Sequence, residues 1–410
     1  MIEKPKYYKY FTDSAVPEWI RNPFITLLLF IAAFASCKSR ADVFHANENY
    51  FELDIRGTIN QKEKLHVLTD LTAAIKYIPL EKNESCLLYG IQKLYVDKDH
   101  IFIADRMGLY QFDIYGGFIR RIGGPGRGPG EHGRDIKFCI DAFNGLAYIF
   151  CRSNGTMNIY NIETGLFIRA FYIGFRVSDL AVTTNGNIVI FTSDISPGPL
   201  SFTINEVILS DNNGLIIDSI PNFNRLNSQS TAVGYVNLFN HQNSEFRYNY
   251  NFSDTLYVLN ENFSRSVDVI LSLENTIKRE KLFTEMSDGI QIPDFLWINN
   301  IIGNSRHLYI TIERGMAFNV ERDLRYILYD QQNKDLFPTH GFINDIDGGM
   351  TFWPQFSIKN KLIAWHEPYR IIEYYNSSKG AVDHSESFTN LVKTLDDSDN
   401  PVLVLIDLSD

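Results

Sequence analysis

The sequence is short of cysteine, of basic clusters and of long apolar runs, and each shortage removes a class of protein. Four cysteines in 410 residues, Cys37, Cys86, Cys139 and Cys151, show neither CxxC nor CxxH spacing, so no zinc or iron–sulfur site is indicated. No run of Lys and Arg exceeds two residues and the formal net charge is −11. That balance excludes a nucleic-acid partner, because phosphate recognition needs a basic patch or stripe. It also argues against adsorption to anionic lipid. There is no Gly-x-Ser-x-Gly elbow, no Gly-Lys-Ser/Thr phosphate loop and no recognisable histidine–serine triad context. No apolar stretch reaches the roughly 20 residues that a spanning helix requires.

What is present at the N-terminal end is a compact apolar run, residues 24–34, preceded by Arg21 and closed by Lys38-Ser39-Arg40. This is the layout of a secretory signal. The small residues Ala35 and Ser36 directly before Cys37 resemble the lipobox of bacterial lipoproteins, which implies cleavage after Ser36 and acylation of Cys37. The other reading is an ordinary cleaved signal with an incidental cysteine. On the lipoprotein reading, residues 1–36 are the signal peptide, residues 37–72 a tether with an early strand, and residues 73–410 the folded body. Cleavage removes four basic and three acidic residues, which leaves the body one unit more acidic than the whole chain.

From about Ala73 the pattern is β almost without interruption. Short strands are predicted at 75–80, 91–96, 101–105, 109–113 and 118–122, separated by Asp, Asn and Gly turns. The order then recurs: 136–140, 146–150, 156–160 and 165–171 form a second unit, and 177–182, 188–191, 201–209 and 215–220 a third. Four strands per unit, repeated in step, is the signature of a propeller blade, and residues from about 237 to 406 have room for three more. The fold class read from this pattern is all-β, a six-bladed β-propeller with four-stranded antiparallel blades and one short C-terminal helix. That helix is expected over 385–395, with Phe388, Leu391, Val392 and Leu395 on one face. Residues 402–406 follow Pro401 as a strand that helps close the ring. Cys139 and Cys151 fall on consecutive strands and either pair as a disulfide or stay free.

The segment Phe112–Phe118 running into Ile122–Glu131, the strand Asp254-Thr255-Leu256-Tyr257-Val258, the block Asn344–Gly349 with Phe352-Trp353-Pro354, and the closing Asn400–Leu405 together carry a resemblance. They are similar to the six-bladed β-propeller lipoproteins of Gram-negative gut anaerobes, which look distantly like NHL-repeat propellers. The resemblance spans Ile75 to Ile406. It implies an architecture and a place in the cell envelope, anchored to the outer membrane through lipid, and it implies no reaction.

The candidate chemistry is sparse. The run Gly123–Gly130 reads as a shaped connector between blades one and two, with Arg127 its one side chain able to meet a ligand. Asp345-Ile346-Asp347-Gly348 resembles the start of a calcium loop but lacks the completing Glu, and reads as a tight turn. His366 and Glu367 are adjacent in a strand pattern, which sends them to opposite faces. Asp105, Asp113, Asp141 and Asp179 lie at or near strand ends, where carboxylates form turns or approach the channel mouth. With 22 Tyr and 30 Phe, stacking faces for sugar rings are available, although blade-to-blade packing consumes most aromatics. Trp297 and Trp353, expected in loops, are the two candidates for exposure. The function expected is an envelope-anchored module that binds a glycan, a peptide or an envelope protein, with no cofactor, metal or catalytic residue assigned. The alternative is a glycosidase- or lyase-type enzyme using two channel carboxylates, with or without calcium.

Overall fold

The computed structural model describes residues 50–192, 205–221, 236–240, 245–250, 253–273, 296–304, 306–315, 323–358 and 360–408. Cys37 and the segment read as signal peptide lie outside them. Three short strands come first, β1 (Phe51–Asp54), β2 (His66–Val67) and β3 (Ile75–Pro79). Blade one is β4 (Lys93–Val96), β5 (His100–Ala104), β6 (Leu109–Asp113) and β7 (Phe118–Ile122); blade two is β8 (Lys137–Asp141), β9 (Leu146–Cys151), β10 (Thr156–Asn161) and β11 (Phe167–Tyr172). Blade three is β12 (Val177–Val182), β13 (Ile188–Thr192), β14 (Asn205–Ser210) and β15 (Ile216–Pro221); blade four is β16 (Val236–Asn240), β17 (Phe246–Tyr250), β18 (Thr255–Leu259) and β19 (Arg265–Ser272). Blade five is β20 (Leu296–Gly303), β21 (His307–Arg314), β22 (Asp323–Asp330) and β23 (Asp335–Thr339).

The chain then makes β24 (Phe342–Ile343), β25 (Phe356–Ile358) and β26 (Lys361–His366), two helices, α1 (Pro368–Ser378) and α2 (Glu386–Thr394), and a last strand, β27 (Val402–Asp407). Blade six is ordered β25-β26-β27-β3, so a strand from before blade one supplies its outer edge, with Leu403 opposite Ile78 and Leu405 opposite Lys76. The fold is a six-bladed propeller of four-stranded antiparallel blades. Strand β27 completes a sheet at the closure, where it was expected.

The core is distributed over the joints between blades. In β9, Ala147 and Ile149 belong to the cluster shared with blade one, while Tyr148 and Phe150 belong to the cluster shared with blade three. Alternate strand residues face opposite ways, so a strand sandwiched between two neighbours is apolar at every position. That is why residues 146–150 read as a continuous apolar run. Similar clusters join blades three to four, four to five and five to six. The ring closes where Ile78 and Leu403 of blade six meet Leu94, Ile101 and Phe112 of blade one.

The structure corrects several expectations. Two helices rather than one follow β26: α2 is the expected one, capped by Ser385, whose Oγ accepts from Phe388 N at 3.1 Å. Helix α1 was not foreseen, and it buries Ile371 beside Phe388, Val392 and Val402. Cys139 and Cys151, left open as paired or free, are both free, because the register sets Cys139 opposite Tyr148 and turns Cys151, three residues on, to the other face. Strand β1 joins blade four as a fifth strand, parallel to β19. Trp297 lies in β20 rather than in a loop. Among the described residues no helix is long and apolar enough to cross a membrane.

Candidate functional site at the head of the channel

Each inner strand runs away from the connector that feeds it, so β4, β8, β12, β16, β20 and β25 all begin at the same end of the ring. The described inter-blade connectors and loops between second and third strands lie at that end. The turns between first and second strands, and between third and fourth, lie at the other.

At the connector end, Lys93 is the first residue of β4, Lys137 the first of β8, and Asp179 the third of β12. Lys93 Nζ donates to Asp179 Oδ1 at 2.5 Å and to Leu180 O at 3.0 Å, and the same Oδ1 accepts from Leu180 N at 2.7 Å. The ammonium also stands 5.5 Å from the ring centre of Phe138, so a side chain of blade one crosses the inner strand of blade two to reach blade three. Lys137 lies within electrostatic reach of this pair. Burial holds its ammonium below the usual lysine range; Asp179 works against that shift, while Lys93 and Arg152 add to it. Lys93 thus binds the Asp179 carboxylate directly, while Lys137 feels the charge of Asp179 and of Asp135.

The surrounding rim carries the same sign. Arg106, Arg127, Arg134, Arg152 and Arg176 sit on the connectors and loops of blades one to three, and Asp135 N donates to Arg106 O to bring two of these segments together. The acids on the same segments are Asp105, Glu131 and Asp135. Asp105 is fully buried and caps its own turn, accepting from Met107 N and Gly108 N, and from Tyr89 N across the joint. Glu131 folds back onto Gly128 N at 2.6 Å. Tyr89 and Tyr172, 64% and 68% exposed, stand on the segments that flank this cationic sector.

The other sequence candidates fall elsewhere. Asp113 accepts from Tyr115 N and Gly117 N, and Asp141 from Asn144 N and Nδ2, both at the turn end. Of the four carboxylates named from sequence, Asp105 and Asp179 lie at the connector end and Asp113 and Asp141 at the turn end, so the four do not converge. The Gly123–Gly130 connector is a packing device: a Cβ at Gly126 would stand 1.9 Å from Glu131 Oε2, and one at Gly123, where φ is +66°, 2.8 Å from Tyr160 Oη. Its amides face the protein, Gly126 N donating to His132 O. Arg127 is exposed at its tip.

The 345–348 segment forms a turn whose carboxylates are taken by donors of the chain. Asp345 accepts from Thr69 N and Oγ1, and Asp347 Oδ1 from Gly349 N, Asn344 Nδ2 and Tyr77 Oη. Among the described residues no group of three or more His, Cys, Asp and Glu is placed to hold a metal ion. Trp297 is half-buried and donates to Gly315 O; Trp353 is half-buried against Tyr309, Tyr326 and Phe342 and donates to Thr311 Oγ1. His366 ends β26, pushed down to about 4 by burial, and Glu367 precedes α1.

Sequence reasoning named Arg127 and Asp179 but missed Lys93 and Lys137. The signal was in the repeat: Lys93-Leu94-Tyr95-Val96 and Lys137-Phe138-Cys139-Ile140 occupy the same place in successive units. A lysine opening two adjacent inner strands is a channel feature, whereas either alone reads as a solvated strand end.

A family model, the domain of unknown function DUF4934, matches residues 50–407. The chain belongs to the DUF4934 family. No curated protein matches it. This DUF4934 propeller is similar in structure to a protein of Bacteroides fragilis whose name reads "putative exported protein", with a TM-score of 0.67 and 15% identity over 88% of this chain and 99% of that one. A DUF4221 member from Bacteroides vulgatus matches with a TM-score of 0.45 and 10% identity over 83% and 97% of the two chains.

Proposed function

We propose that this protein is an envelope-anchored binding module, lipidated at Cys37, whose channel head takes an acidic glycan. The observation that carries the reading is the reversal of charge. In a chain of net charge −11, the connector-end segments of blades one to three carry Lys93, Lys137 and five arginines against four acids, Asp105, Glu131, Asp135 and Asp179. Guanidinium and ammonium groups at a partly desolvated mouth favour carboxylate or sulfate groups. Tyr89 and Tyr172 at the flanks offer faces for sugar rings. The export signal in residues 24–37 and the name of the Bacteroides fragilis relative support a place outside the cytoplasm, with the lipid as the link to the outer membrane. The enzyme alternative has less support, since the carboxylates named for it are spread over both ends of the ring.

The test is binding of uronate-bearing and neutral oligosaccharides by calorimetry at two salt concentrations. Uronate ligands bind, and more weakly at high salt. Arg134→Glu with Arg152→Glu lowers that affinity by about tenfold or more, as expected when two attractive charges become repulsive. Equal binding of neutral sugars, or an unchanged affinity in the double variant, overturns the reading.

A further inference from the structure

The turn end of the ring carries a second surface. Four large apolar side chains at turns are wide open among the described residues, Phe143 at 93%, Tyr115 at 77%, Leu215 at 69% and Leu166 at 67%, while Leu65 at 71% and Tyr172 at 68% lie outside these turns. All four belong to turns at the end of the ring away from the cationic rim: Phe143 between β8 and β9, Tyr115 between β6 and β7, Leu166 between β10 and β11, and Leu215 between β14 and β15. Ile216 and Ile217 continue the last of these. The folding of such turns requires no apolar residue here; the exposed tips of comparable turns in blades three, four and five are Asn185, Asn262 and Asn333.

The tips are held outward by their own turn chemistry. Asp113 Oδ1 accepts from Tyr115 N at 2.8 Å, Asn161 Oδ1 from Thr164 N at 2.8 Å, and Asp211 Oδ1 from Asn213 N and Leu215 N, both at 2.8 Å. Lys76 stands 5.3 Å from the ring centre of Tyr115, an ammonium beside an exposed aromatic, as interfacial side chains are arranged. The first described strand begins at the same end. Strand β1 runs parallel to β19, the outer strand of blade four, and β19 runs from the turn end to the connector end, so Phe51 lies at the turn end. Thirteen residues separate Cys37 from Phe51, a covalent reach of at most about 45 Å.

We propose that the turn end of blades one to three rests on a lipid bilayer, with Tyr115, Phe143, Leu166 and Leu215 entering the headgroup region and the cationic channel head facing away. The inference rests on the lipid anchor at Cys37. The start of β1 on blade four and the apolar tips on blades one to three mark four points round the turn end of the ring. Glu163 and Asp211 on the same turns, and Asp97 and Asp99 on the β4–β5 turn at the same end, suit this surface to zwitterionic rather than anionic headgroups.

The experiment uses the full exported chain on phosphatidylcholine vesicles with brominated acyl chains, and an environment-sensitive label at Ala142→Cys or, for the opposite end, at Arg127→Cys. The label at 142 is quenched and the label at 127 is not. Serine at all four tips removes the quenching and lowers vesicle partitioning by about tenfold or more, with the urea midpoint retained as evidence of folding. Equal quenching at both positions, no quenching at 142, or quenching that survives the fourfold change overturns the proposal. A concentration-dependent dimer lost with the four tips assigns the face to a second copy and also overturns it. Intact mass separates this result from the anchor reading: a chain without acyl mass that is still quenched at 142 refutes the anchor and keeps the face. An acylated chain unquenched at 142 does the reverse.

Discussion

Blade two is written in one stretch, residues 137–172, whereas blade six is assembled from three: 356–366, 402–407 and, from the other end of the chain, 75–79. Both are four-stranded, and both bury apolar residues against two neighbours. They differ in what holds the outer strand. In blade two, β11 follows β10 through a short turn and its outward residues are open to solvent, Ile168 being 49% exposed. In blade six, β3 has no covalent neighbour in its own sheet. It is kept by register with β27 and by Ile78, 1% exposed, in the joint with blade one. A local hairpin needs little from its outer edge, while a closure made of distant segments depends on packing at that edge.

The contrast breaks most visibly at the outer strands. Ile78→Asp places a carboxylate in the closing joint and is expected to destabilise the fold by about 4 kcal/mol or more, whereas Ile168→Asp in blade two changes stability by roughly 0.5 kcal/mol or less. Urea unfolding of the two variants measures the difference, and similar losses remove the distinction between the blades. A joint between consecutive blades supplies the next comparison. Glu206 of blade three accepts from Tyr248 Oη at 2.9 Å and pairs with Arg265 Nη1 at 2.5 Å on blade four. Leaving Arg265 without that charge, as in Glu206→Ala, is expected to cost about 3–5 kcal/mol by the same measurement. A contiguous joint with that sensitivity shows that depending on one's neighbour is not confined to the closure.

Smaller effects sharpen the picture. Asn400, 1% exposed, accepts from Leu88 N and donates to the carbonyls of Glu81 and Cys86, tying the segment before β27 to the segment after β3. Asn400→Ala leaves these groups unpaired and is expected to lower stability by about 2–3 kcal/mol. Asn154→Ala, at an exposed turn of blade two, lowers it by about 1 kcal/mol or less. The mildest distinction is in pH. Blade six contains His366, and blade two has no histidine. Burial pushes His366 down to about 4 from the ordinary 6.5, so between those values the unfolded chain binds a proton that the folded one does not. The contribution is complete above pH 6.5 and is lost as pH falls towards 4. His307, pushed down to about 4 by burial and by Arg306 against the pull of Asp330, acts in the same direction. Urea midpoints from pH 7 to 4.5 fall less steeply in His366→Gln, and an unchanged slope removes this role.

The same comparison explains what could be read from sequence. In blades one to three the predicted strands match the observed ones to within a few residues, because each blade buries both strand faces locally and most described turns are built by an Asp or Asn that caps its own backbone, as Asp113, Asp141 and Asp211 do. The turn pattern therefore carries the architecture. Blade six was legible only in part: β3 and β27 were each seen as strands, but nothing local states that Tyr77 lies opposite Val404. Helix α1 escaped because tertiary contact, Ile371 against Phe388 and Val402, sustains it rather than a strong local pattern. The channel head was illegible for a related reason. Lys93, Lys137 and Asp179 lie on three different blades, and only the ring brings them together.

The order of the strands also sets a clock. Five blades are complete in residues 93–339, but the sixth lacks its third strand until residue 407 has been made. A nascent chain on the ribosome, or one passing end-first through a pore, therefore carries an unlatched ring: β3 emerges early and waits for the strand that fixes it. The latch engages only once β27 has been made, so residues 402–407 decide when the molecule ceases to be threadable.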